Sequence, residues 1–285
     1  MDREALRIGN FLVGNVAGEA VLEITLGGFS AEFLGDIRFT ITGADLGTRL
    51  NGSPCDRWAQ HQGVAGDVLT LEHHHCGCRA YLCIAGGIDV PVVMGSRSTY
   101  LRGGLGGHEG RRLRSGDVLR AGKPQGSGVP AWPVEFVPGY SASPVVHVIP
   151  GPQDDAINKQ GWECFLGGEY RLTGRSDRMG CVLEGPPIIS HRGADIISDG
   201  TPPGAVQVPG NGQPIVLLAD RQTVGGYAKI ATVVSFDLPS LAQLLPGNSV
   251  RFAAIDLWRA RQIHLDREYR LRQVMRRLQD QAENG

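Results

Sequence analysis

The chain contains an internal repeat with a long period, and this feature limits its architecture more than any other. Residues 42–54 and 173–187 share a pattern of glycine, leucine and proline at a constant offset of 133 positions. The matched pairs are Gly47 with Gly180, Leu50 with Leu183, Gly52 with Gly185 and Pro54 with Pro187. Solenoids and propellers have periods of about 20–50 residues, so this longer period predicts two similar domains instead.

Further matches follow in the same order along the two halves. Residues 66–69 match 204–207, residues 97–99 match 221–223, and residues 116–119 match 247–250. Glycine, proline and serine are frequent between the halves, as is typical of connecting segments. The sequence therefore predicts a first domain at 1–122, a linker at 123–144, a second domain at 145–252 and a C-terminal helix at 253–285.

Short apolar runs separated by Gly, Pro, Asn and Asp dominate both halves, a pattern typical of antiparallel barrels and sandwiches. Strands are predicted at 21–26, 37–41, 68–71, 80–84, 145–149, 170–172, 205–208, 215–218 and 229–234. Helices are predicted at 2–13, at 238–245 and from 253 to the C-terminal end. The predicted fold is mainly β, with two duplicated domains, each a barrel or a sandwich, and a long C-terminal helix.

Composition excludes several classes of protein. The formal net charge of −1 gives no basic footprint for nucleic acid. The apolar run from Tyr81 is interrupted at Asp89, short of the roughly 18 residues that cross a bilayer. The N-terminus lacks a signal-peptide pattern, and six cysteines are too few for a disulfide scaffold. We therefore expect a cytoplasmic protein with reduced thiols that binds neither nucleic acid nor membranes.

Residues 95–111 form the densest polar, glycine-rich segment of the sequence. Glycines allow backbone N–H groups to approach a ligand closely, and arginines offer paired donors to carboxylate or phosphate. Arg97, Ser98 and Thr99 are therefore candidate substrate-binding residues. The alternative is a compact loop held by its own hydrogen bonds. No G-x-x-x-x-G-K-[ST] pattern occurs, so the chain has no phosphate-binding loop of that type.

The second half supplies the other candidates. Asp177 and Arg178 lie in a polar turn, and Asp220 and Lys229 lie at the ends of apolar strands, where a rigid element can hold a polar group in place. These four are the predicted catalytic residues. Gln207, Gln213, Arg221, Gln222, Thr223 and Tyr227 are the predicted substrate-binding residues of this half. The alternatives are a structural ion-pair turn and a solvent-exposed strand-end lysine.

The segment 73–78, with the sequence HHHCGC, superficially resembles a metal site. A closed zinc site needs four convergent ligands, usually from two separated pairs, and no second pair occurs. The repeat aligns this segment with the turn at 209–212, which predicts a hairpin tip. We therefore predict no metal. No G-x-S-x-G motif occurs either, so nothing here supports serine or cysteine nucleophilic catalysis.

Several ordered motifs carry a family resemblance. They are RAYL at 79–82, AGGIDV at 85–90, GSRSTY at 95–100, PGPQ at 150–153, SDRMG at 176–180, QVP at 207–209, GQPI at 212–215 and DRQTVGGY at 220–227. Over nearly the whole chain, the sequence resembles the family of the C-type subunit of 5-oxoprolinase, the Kip antagonist protein and allophanate hydrolase subunit 2. A similar domain forms part of the biotin-dependent carboxyltransferase region of urea carboxylase.

The resemblance implies two cyclophilin-like β-barrels and a further N-terminal segment ahead of Met1. It also implies a Kip-inhibitor-like partner, the B-type subunit, and in the oxoprolinase version a third, A-type subunit. Such a complex opens the lactam of 5-oxoproline to glutamate with ATP. From their residue types and positions, we expect Arg97, Arg178 and Arg221 to hold carboxylate or phosphate, with Lys229, Asp177 and Asp220 as acid/base or orienting groups.

Two alternatives remain open under the same resemblance. The first is a carboxyltransferase component that acts on urea with carboxybiotin. The chain has no Met-Lys pair, so any biotin would be attached to another polypeptide. The second is a regulatory protein that sequesters a kinase inhibitor and needs only a complementary surface.

Overall fold

A computed structural model describes residues 1–284, and these residues form two compact units. Within the described residues, the N-terminal unit comprises Arg3–Gly139 together with residues 273–284. The C-terminal unit comprises Met1–Asp2 and Tyr140–Arg272. In the C-terminal unit, the buried carboxylate of Asp2 accepts hydrogen bonds from the Tyr140 hydroxyl at 2.8 Å and the Gln243 amide at 2.9 Å. These bonds attach the first residues of the chain to this unit.

The N-terminal unit contains one whole α-helix, the last part of the C-terminal helix from Gln273, and eight strands in two four-stranded sheets. Its elements are α1 (Arg3–Leu12), β1 (Leu22–Thr25), β2 (Gly27–Glu32), β3 (Ile37–Asp45), β4 (Thr48–Leu50), β5 (Ser53–Pro54), β6 (Gln60–Gly63), β7 (Val68–His73) and β8 (Cys76–Ile84). The sheet orders are β1-β8-β3-β6 and β2-β7-β4-β5. Short 3₁₀ turns follow at Leu101–Gly103 and Val134–Phe136.

Burial of apolar side chains explains the pairing of β3 with β8. Phe39 is opposite Ile84 and Ile41 is opposite Leu82, and all four side chains are buried in one core cluster. Helix α1 lies against this sheet, and the hydroxyl of Thr42 in β3 donates to the Ala5 carbonyl of the helix at 2.8 Å. The helix therefore covers a sheet that would otherwise expose apolar surface.

The C-terminal unit contains a closed seven-stranded barrel. Its elements are β9 (Val145–Pro150), α2 (Lys159–Gly167), β10 (Tyr170–Leu172), β11 (Gly180–Glu184), β12 (Asp195–Gly200), β13 (Ala205–Gln207), β14 (Ile215–Leu217), β15 (Val224–Tyr227), β16 (Lys229–Val233), α3 (Leu238–Ala242), β17 (Ser249–Ala254) and the part of α4 (Leu257–Asn284) up to Arg272, with a 3₁₀ turn at Asp154–Ala156. The barrel order is β10-β11-β14-β13-β16-β9-β17. Strands β12 and β15 form a separate two-stranded arm.

Aromatic packing fills one part of the barrel unit. The Phe165 ring from α2 stacks on the Phe252 ring from β17, with centroids 4.5 Å apart. Helix α2 starts where the Asn158 side chain accepts a hydrogen bond from the Gly161 N–H at 2.9 Å, a standard N-cap. Because β9 alternates in burial, Val146 and Val148 point into the same core. The barrel therefore has its own continuous apolar interior.

The predicted mainly β fold with a C-terminal helix is confirmed. Every predicted strand is present, but the last helix begins at Leu257, because β17 occupies Ser249–Ala254 beside β9. In the predicted linker, Val129 and Trp132 are buried, and the boundary between units lies at Tyr140. No helix among the described residues combines the length and apolarity needed to cross a membrane.

The two halves of the repeat differ in strand pairing. The repeat matches β4 with β11, yet β4 pairs with β7 whereas β11 pairs with β14. Only the C-terminal half closes into a barrel, and the N-terminal half keeps its strands in two sheets. Similar sequence therefore produces similar strands here without the same hydrogen-bonding partners.

Candidate functional site

The predicted site residues are divided between the two units. Arg97, Ser98 and Thr99 belong to the N-terminal unit, and all the others belong to the C-terminal unit. Within the C-terminal unit, the structure brings some of them together around Lys229, at the start of β16. The site is therefore described from this lysine outward.

Lys229 has a fully buried side chain, only 1% exposed. Its Nζ lies 2.8 Å from Oδ2 of Asp199, a residue of β12 that the sequence did not single out. Its backbone N–H donates to Oε1 of Gln153 at 3.1 Å. A buried ammonium group is costly unless it is paired, so the Asp199 carboxylate offsets part of the cost of burying this lysine.

An irregularity of the barrel places Gln207 opposite Lys229. The register of β13 against β16 shifts between Val206 and Gln207, as in a β-bulge. Bulges are common beside active sites because they redirect a side chain. The Gln207 side chain is buried, and its Oε1 accepts from the Gln222 amide at a long 3.4 Å. We call Gln153, Asp199, Gln207, Gln222 and Lys229 the lysine–glutamine cluster.

The two-stranded arm of β12 and β15 supplies the carboxylate of this cluster. The hydrogen bond from Lys229 and a bond from the Gly200 N–H hold the pKa of Asp199 below its ordinary value. Tyr227 in β15 is exposed, and its backbone carbonyl accepts from the Gln207 amide at 3.5 Å. Hydrogen bonds of this length are weak, so Gln207 and Gln222 can give them up and bond to a ligand carbonyl or N–H instead.

Loop hydrogen bonds hold Arg221 and Thr223 beside the cluster. The Arg221 Nε donates to the Thr201 carbonyl at 2.8 Å, and the Thr201 N–H donates to the Thr223 carbonyl at 3.0 Å. The Thr201 hydroxyl donates to the Gln222 carbonyl. These bonds fix the loop that carries Gln222.

Arg178 and Asp220 form a bidentate ion pair that links two loops of the barrel. Nε and Nη2 of Arg178 lie 2.9 and 3.2 Å from the two carboxylate oxygens of Asp220. The Asp177 side chain accepts from the Met179 N–H at 2.7 Å. Gln213 bonds the N–H and the carbonyl of Gly185 at 2.8 and 3.2 Å. These contacts favour positioning roles over proton transfer for these residues.

Asp220→Asn is expected to lower the free energy of unfolding by about 1–3 kcal/mol, because it removes the charge of a partly buried bidentate pair. Asp155→Asn is the control, since Asp155 pairs with Arg192 at an exposed position and should change stability by less than about 0.5 kcal/mol. Urea unfolding of both variants measures the difference. Equal stability of the two variants would show that the Arg178–Asp220 pair contributes no more than an exposed pair.

The glycine-rich segment 95–111 is folded tightly on itself. The Arg97 guanidinium donates to the Val90 carbonyl. A Cβ at Gly106 would lie 2.3 Å from the Ser98 carbonyl oxygen, and one at Gly107 would lie 1.8 Å from the Thr99 hydroxyl. These glycines therefore allow close packing within the loop. The contacts favour the compact-loop alternative, and substrate binding by Arg97, Ser98 and Thr99 stays a prediction.

The histidine-rich segment connects two sheets. Strand β7 ends at His73 and β8 begins at Cys76, and the two strands lie in different sheets. The predicted hairpin is therefore wrong, because the His75 N–H bonds to the Asp45 carbonyl in place of a hairpin partner. Within residues 1–284, no group of three or more His, Cys, Asp or Glu side chains has an arrangement suited to a metal ion.

Sequence reasoning missed an open cleft of about 840 Å³ in the N-terminal unit. Its lining residues are Asp45, Gly47, Thr48, Arg49, Pro54, Cys55, Asp56, Arg57, Trp58, Glu72, His73, His75, Trp132, Val134 and Val137. Burial and the neighbouring Asp56 raise the pKa of the Cys55 thiol to about 11. The lining comes from separate parts of the sequence, so no local motif marked it.

Comparison with known families shows that residues 1–254 match the carboxyltransferase domain, subdomain A and B. The chain belongs to this carboxyltransferase-domain family. Its carboxyltransferase-domain relatives include the C-type subunit of 5-oxoprolinase from Escherichia coli (strain K12), 39% identical over 281 residues, covering 99% of this chain and 90% of the relative. The protein of the same name from Haemophilus influenzae is 35% identical and covers 97% and 88%.

Solved structures of the carboxyltransferase-domain family share the fold. The crystal structure of Kluyveromyces lactis urea carboxylase matches with a TM-score of 0.91 and 29% identity. The match covers 96% of this chain but only 26% of that one. The chain therefore spans nearly all of the two oxoprolinase relatives and about a quarter of the urea carboxylase.

Proposed function

We propose that this chain is the C-type subunit of a multi-subunit 5-oxoprolinase. The observation that carries the proposal is the near-full-length similarity to two proteins that bear this name. Such a protein normally acts with others, so we expect a Kip-inhibitor-like B-type subunit and an A-type subunit as partners. The six cysteines are free thiols, which suits a reducing compartment such as the cytoplasm.

The lysine–glutamine cluster is our candidate for the part of the site that this chain contributes. A lactam presents one carbonyl acceptor and one N–H donor, and a glutamine side chain complements both. Gln207 is paired with Lys229 across the two strands and accepts from the Gln222 amide, and the buried ammonium group of Lys229 can polarise a carbonyl or hold a proton at Nζ. The pairing with Asp199 keeps this ammonium in place until substrate arrives.

ATP would supply activation of the lactam oxygen by phosphorylation when it is bound. The phosphate-binding loop pattern is absent from the sequence, and segment 95–111 is closed on itself. The residues present therefore do not fit a self-contained ATP site on this chain, and we assign ATP binding to a partner protein. This chain would bind and orient the lactam.

The test is glutamate release from 5-oxoproline, with and without ATP, by this chain co-expressed with genomic neighbours that encode the A-type and B-type subunits. We expect ATP-dependent release that disappears when this chain is omitted. An assembled complex that releases no glutamate but carboxylates urea with carboxybiotin would instead favour the carboxyltransferase alternative, for which the similarity to urea carboxylase is the supporting observation.

A regulatory role predicts a different result from the same complex. Sequestration of a kinase inhibitor needs only a complementary surface, so substitution inside the barrel should leave the biological effect intact. Loss of turnover with intact complex formation would contradict regulation as the sole function. Intact regulation with no turnover in any form of the complex would contradict the oxoprolinase proposal.

A further inference from the structure

Helix α4 exposes large apolar side chains on its outward face. Trp258, Leu265 and Tyr269 are 68%, 48% and 65% exposed. At roughly 100° of rotation per residue, these three side chains lie within about 40° of one another around the helix axis. A surface helix of a globular protein usually directs polar residues outward, and clustered exposed apolar groups mark interaction sites. The outward face of α4 therefore has the character of a docking surface.

The inward face of the same helix segment already packs on the barrel unit. Ala260 is buried, and Arg267 lies seven residues further along the same face. The Arg267 guanidinium donates to the Phe236 carbonyl at 3.0 Å and lies 4.6 Å from the centre of the Phe236 ring. Trp258 is about half a turn of the helix away from Arg267. Because the outward side chains are exposed in the folded chain, another molecule must supply whatever buries them.

The outward residues have the spacing of a coiled-coil interface. Trp258, Gln262, Leu265 and Tyr269 follow one another at intervals of four, three and four residues. These intervals are those of the a and d positions of a heptad, which form the contact line between two helices. We call these four residues the α4 seam. All four belong to the C-terminal unit.

Charged residues flank the α4 seam on both sides. Arg259 and Asp266 lie along one side, and Arg261 and Glu268 lie along the other. On each side, the basic residue is nearer the N-terminal end of the helix and the acidic residue is nearer the C-terminal end. Such an arrangement complements a copy of itself that runs in the opposite direction.

We propose that two copies of this chain pair through residues 258–269 of α4, antiparallel to each other and related by a twofold axis. Trp258 of one copy then packs against Tyr269 of the other, and Leu265 packs against Gln262. The symmetry repeats both contacts, so the interface contains two aromatic layers and two mixed layers. The occupant of the α4 seam is therefore a second α4 seam.

The flanking charges select this register among the alternatives. Arg259 faces Asp266 of the second copy, and Arg261 faces Glu268, and the symmetry repeats both ion pairs. A shift by one heptad in one direction would place each arginine against its own counterpart. A shift in the other direction would do the same to each carboxylate. A parallel pair would keep only the attraction between Arg261 and Asp266, so the antiparallel register matches the charges best.

The size of the α4 seam predicts a weak dimer. A Trp or Tyr side chain buries about 150–250 Å² when it is fully covered. Trp258 and Tyr269 are already about one-third covered, so the seam adds on the order of 300 Å² per copy. Standard stable interfaces bury roughly 800 Å² per partner. We therefore expect a dissociation constant of about 10–100 µM, with dimers forming only in concentrated solution.

Sedimentation equilibrium of the full chain, from about 5 to 500 µM, tests the pairing. We expect a monomer–dimer equilibrium in which Arg259→Asp raises the dissociation constant at least about tenfold, because two ion pairs become like-charge contacts. Asp266→Arg in the same chain exchanges the two charges and should return the constant to within about threefold of the wild type. Arg270→Asp is the control, since it makes the same change at an exposed position outside the seam, and should have no effect.

Tyr269→Ala removes both aromatic layers and should leave the chain monomeric over the whole concentration range. Its side chain is exposed, so the fold of the monomer should be unaffected. A wild-type chain that stays monomeric at the highest concentration would overturn the proposal. Equal weakening by Arg259→Asp and Arg270→Asp, or no recovery after the charge exchange, would overturn the antiparallel register and with it the proposal.

One further outcome would assign the α4 seam to a different occupant. If the wild-type chain stays monomeric and Tyr269→Ala abolishes co-purification with the co-expressed B-type subunit, the surface binds that partner and the self-pairing is wrong. Sedimentation of the chain requires no turnover. Failure of the proposed oxoprolinase function and failure of the self-pairing are therefore distinguished by separate measurements.

Discussion

Replacement of Lys229 with methionine is expected to lower glutamate release by the assembled complex at least about 100-fold. Lys229 is the one buried cationic side chain in residues 1–284, and its cross-strand partner Gln207 accepts from the Gln222 amide. Methionine has a similar length and is apolar, so the volume of the site is preserved. Loss of turnover would then report loss of the charge and proton at Nζ.

The same change is expected to alter the free energy of unfolding by less than about 1 kcal/mol. Buried ion pairs often contribute little net stability, because desolvation offsets their attraction. The carboxylate left behind is solvated, since the Asp199 side chain is 57% exposed. Urea unfolding of the isolated chain therefore separates a chemical effect from a folding effect.

Lys159→Met is the matched control for Lys229→Met. Lys159 lies on α2 with its side chain 91% exposed, and it makes only an i,i+4 pair with Glu163. We expect turnover within about twofold of the wild type for this variant, since exposed pairs contribute little. If both complexes assembled and had equal turnover, Lys229 would have no part in the chemistry and its role would be structural.

The strand positions could be predicted well because a strand has a characteristic local pattern of apolar and turn-forming residues. Runs such as 80–84 and 145–149 combine β-branched or apolar residues with flanking turns, and both form strands. Short strands without such runs were missed, among them Gln60–Gly63 and Asp195–Gly200. Their residues pair because neighbouring strands offer partners, which is a tertiary effect that no local pattern records.

The candidate site was only partly predictable. Lys229, Gln207 and Gln222 were identified as polar residues near strand ends, and the structure brings them together. Asp199 was missed, because its strand is a weakly apolar arm that reaches Lys229 across thirty residues of sequence. The cleft at Trp58 was missed for a similar reason, since its lining residues come together only in the folded chain.

Several motifs that carry the family resemblance have structural roles in this chain. In SDRMG, Asp177 bonds the backbone of Met179 and Arg178 holds Asp220. In GQPI, Gln213 bonds both backbone groups of Gly185. Such residues identify a fold reliably because each fits one backbone arrangement. They identify the chemistry less well, because a side chain bonded to a loop is committed to that loop and less available to substrate.

The AGGIDV motif allows a test of whether a residue of a family motif has a structural or a functional role. Gly86 has a φ of +88°, and a Cβ there would lie 2.1 Å from the Gly122 carbonyl oxygen. Gly86→Ala is therefore expected to prevent folding or to lower the free energy of unfolding by more than about 4 kcal/mol, since backbone strain and a backbone clash act together. Urea unfolding, or the yield of soluble protein, measures this loss.

Gly116→Ala separates the two contributions. Gly116 has a similar φ of +90°, but a Cβ there would meet nothing within 4 Å. We expect this variant to lose only the strain of a left-handed backbone, about 1–2 kcal/mol. If Gly86→Ala were no less stable than Gly116→Ala, the backbone at Gly122 would have to move away from the new Cβ with no loss of stability. The glycine of the motif would then need a functional explanation, such as close approach of a partner or ligand.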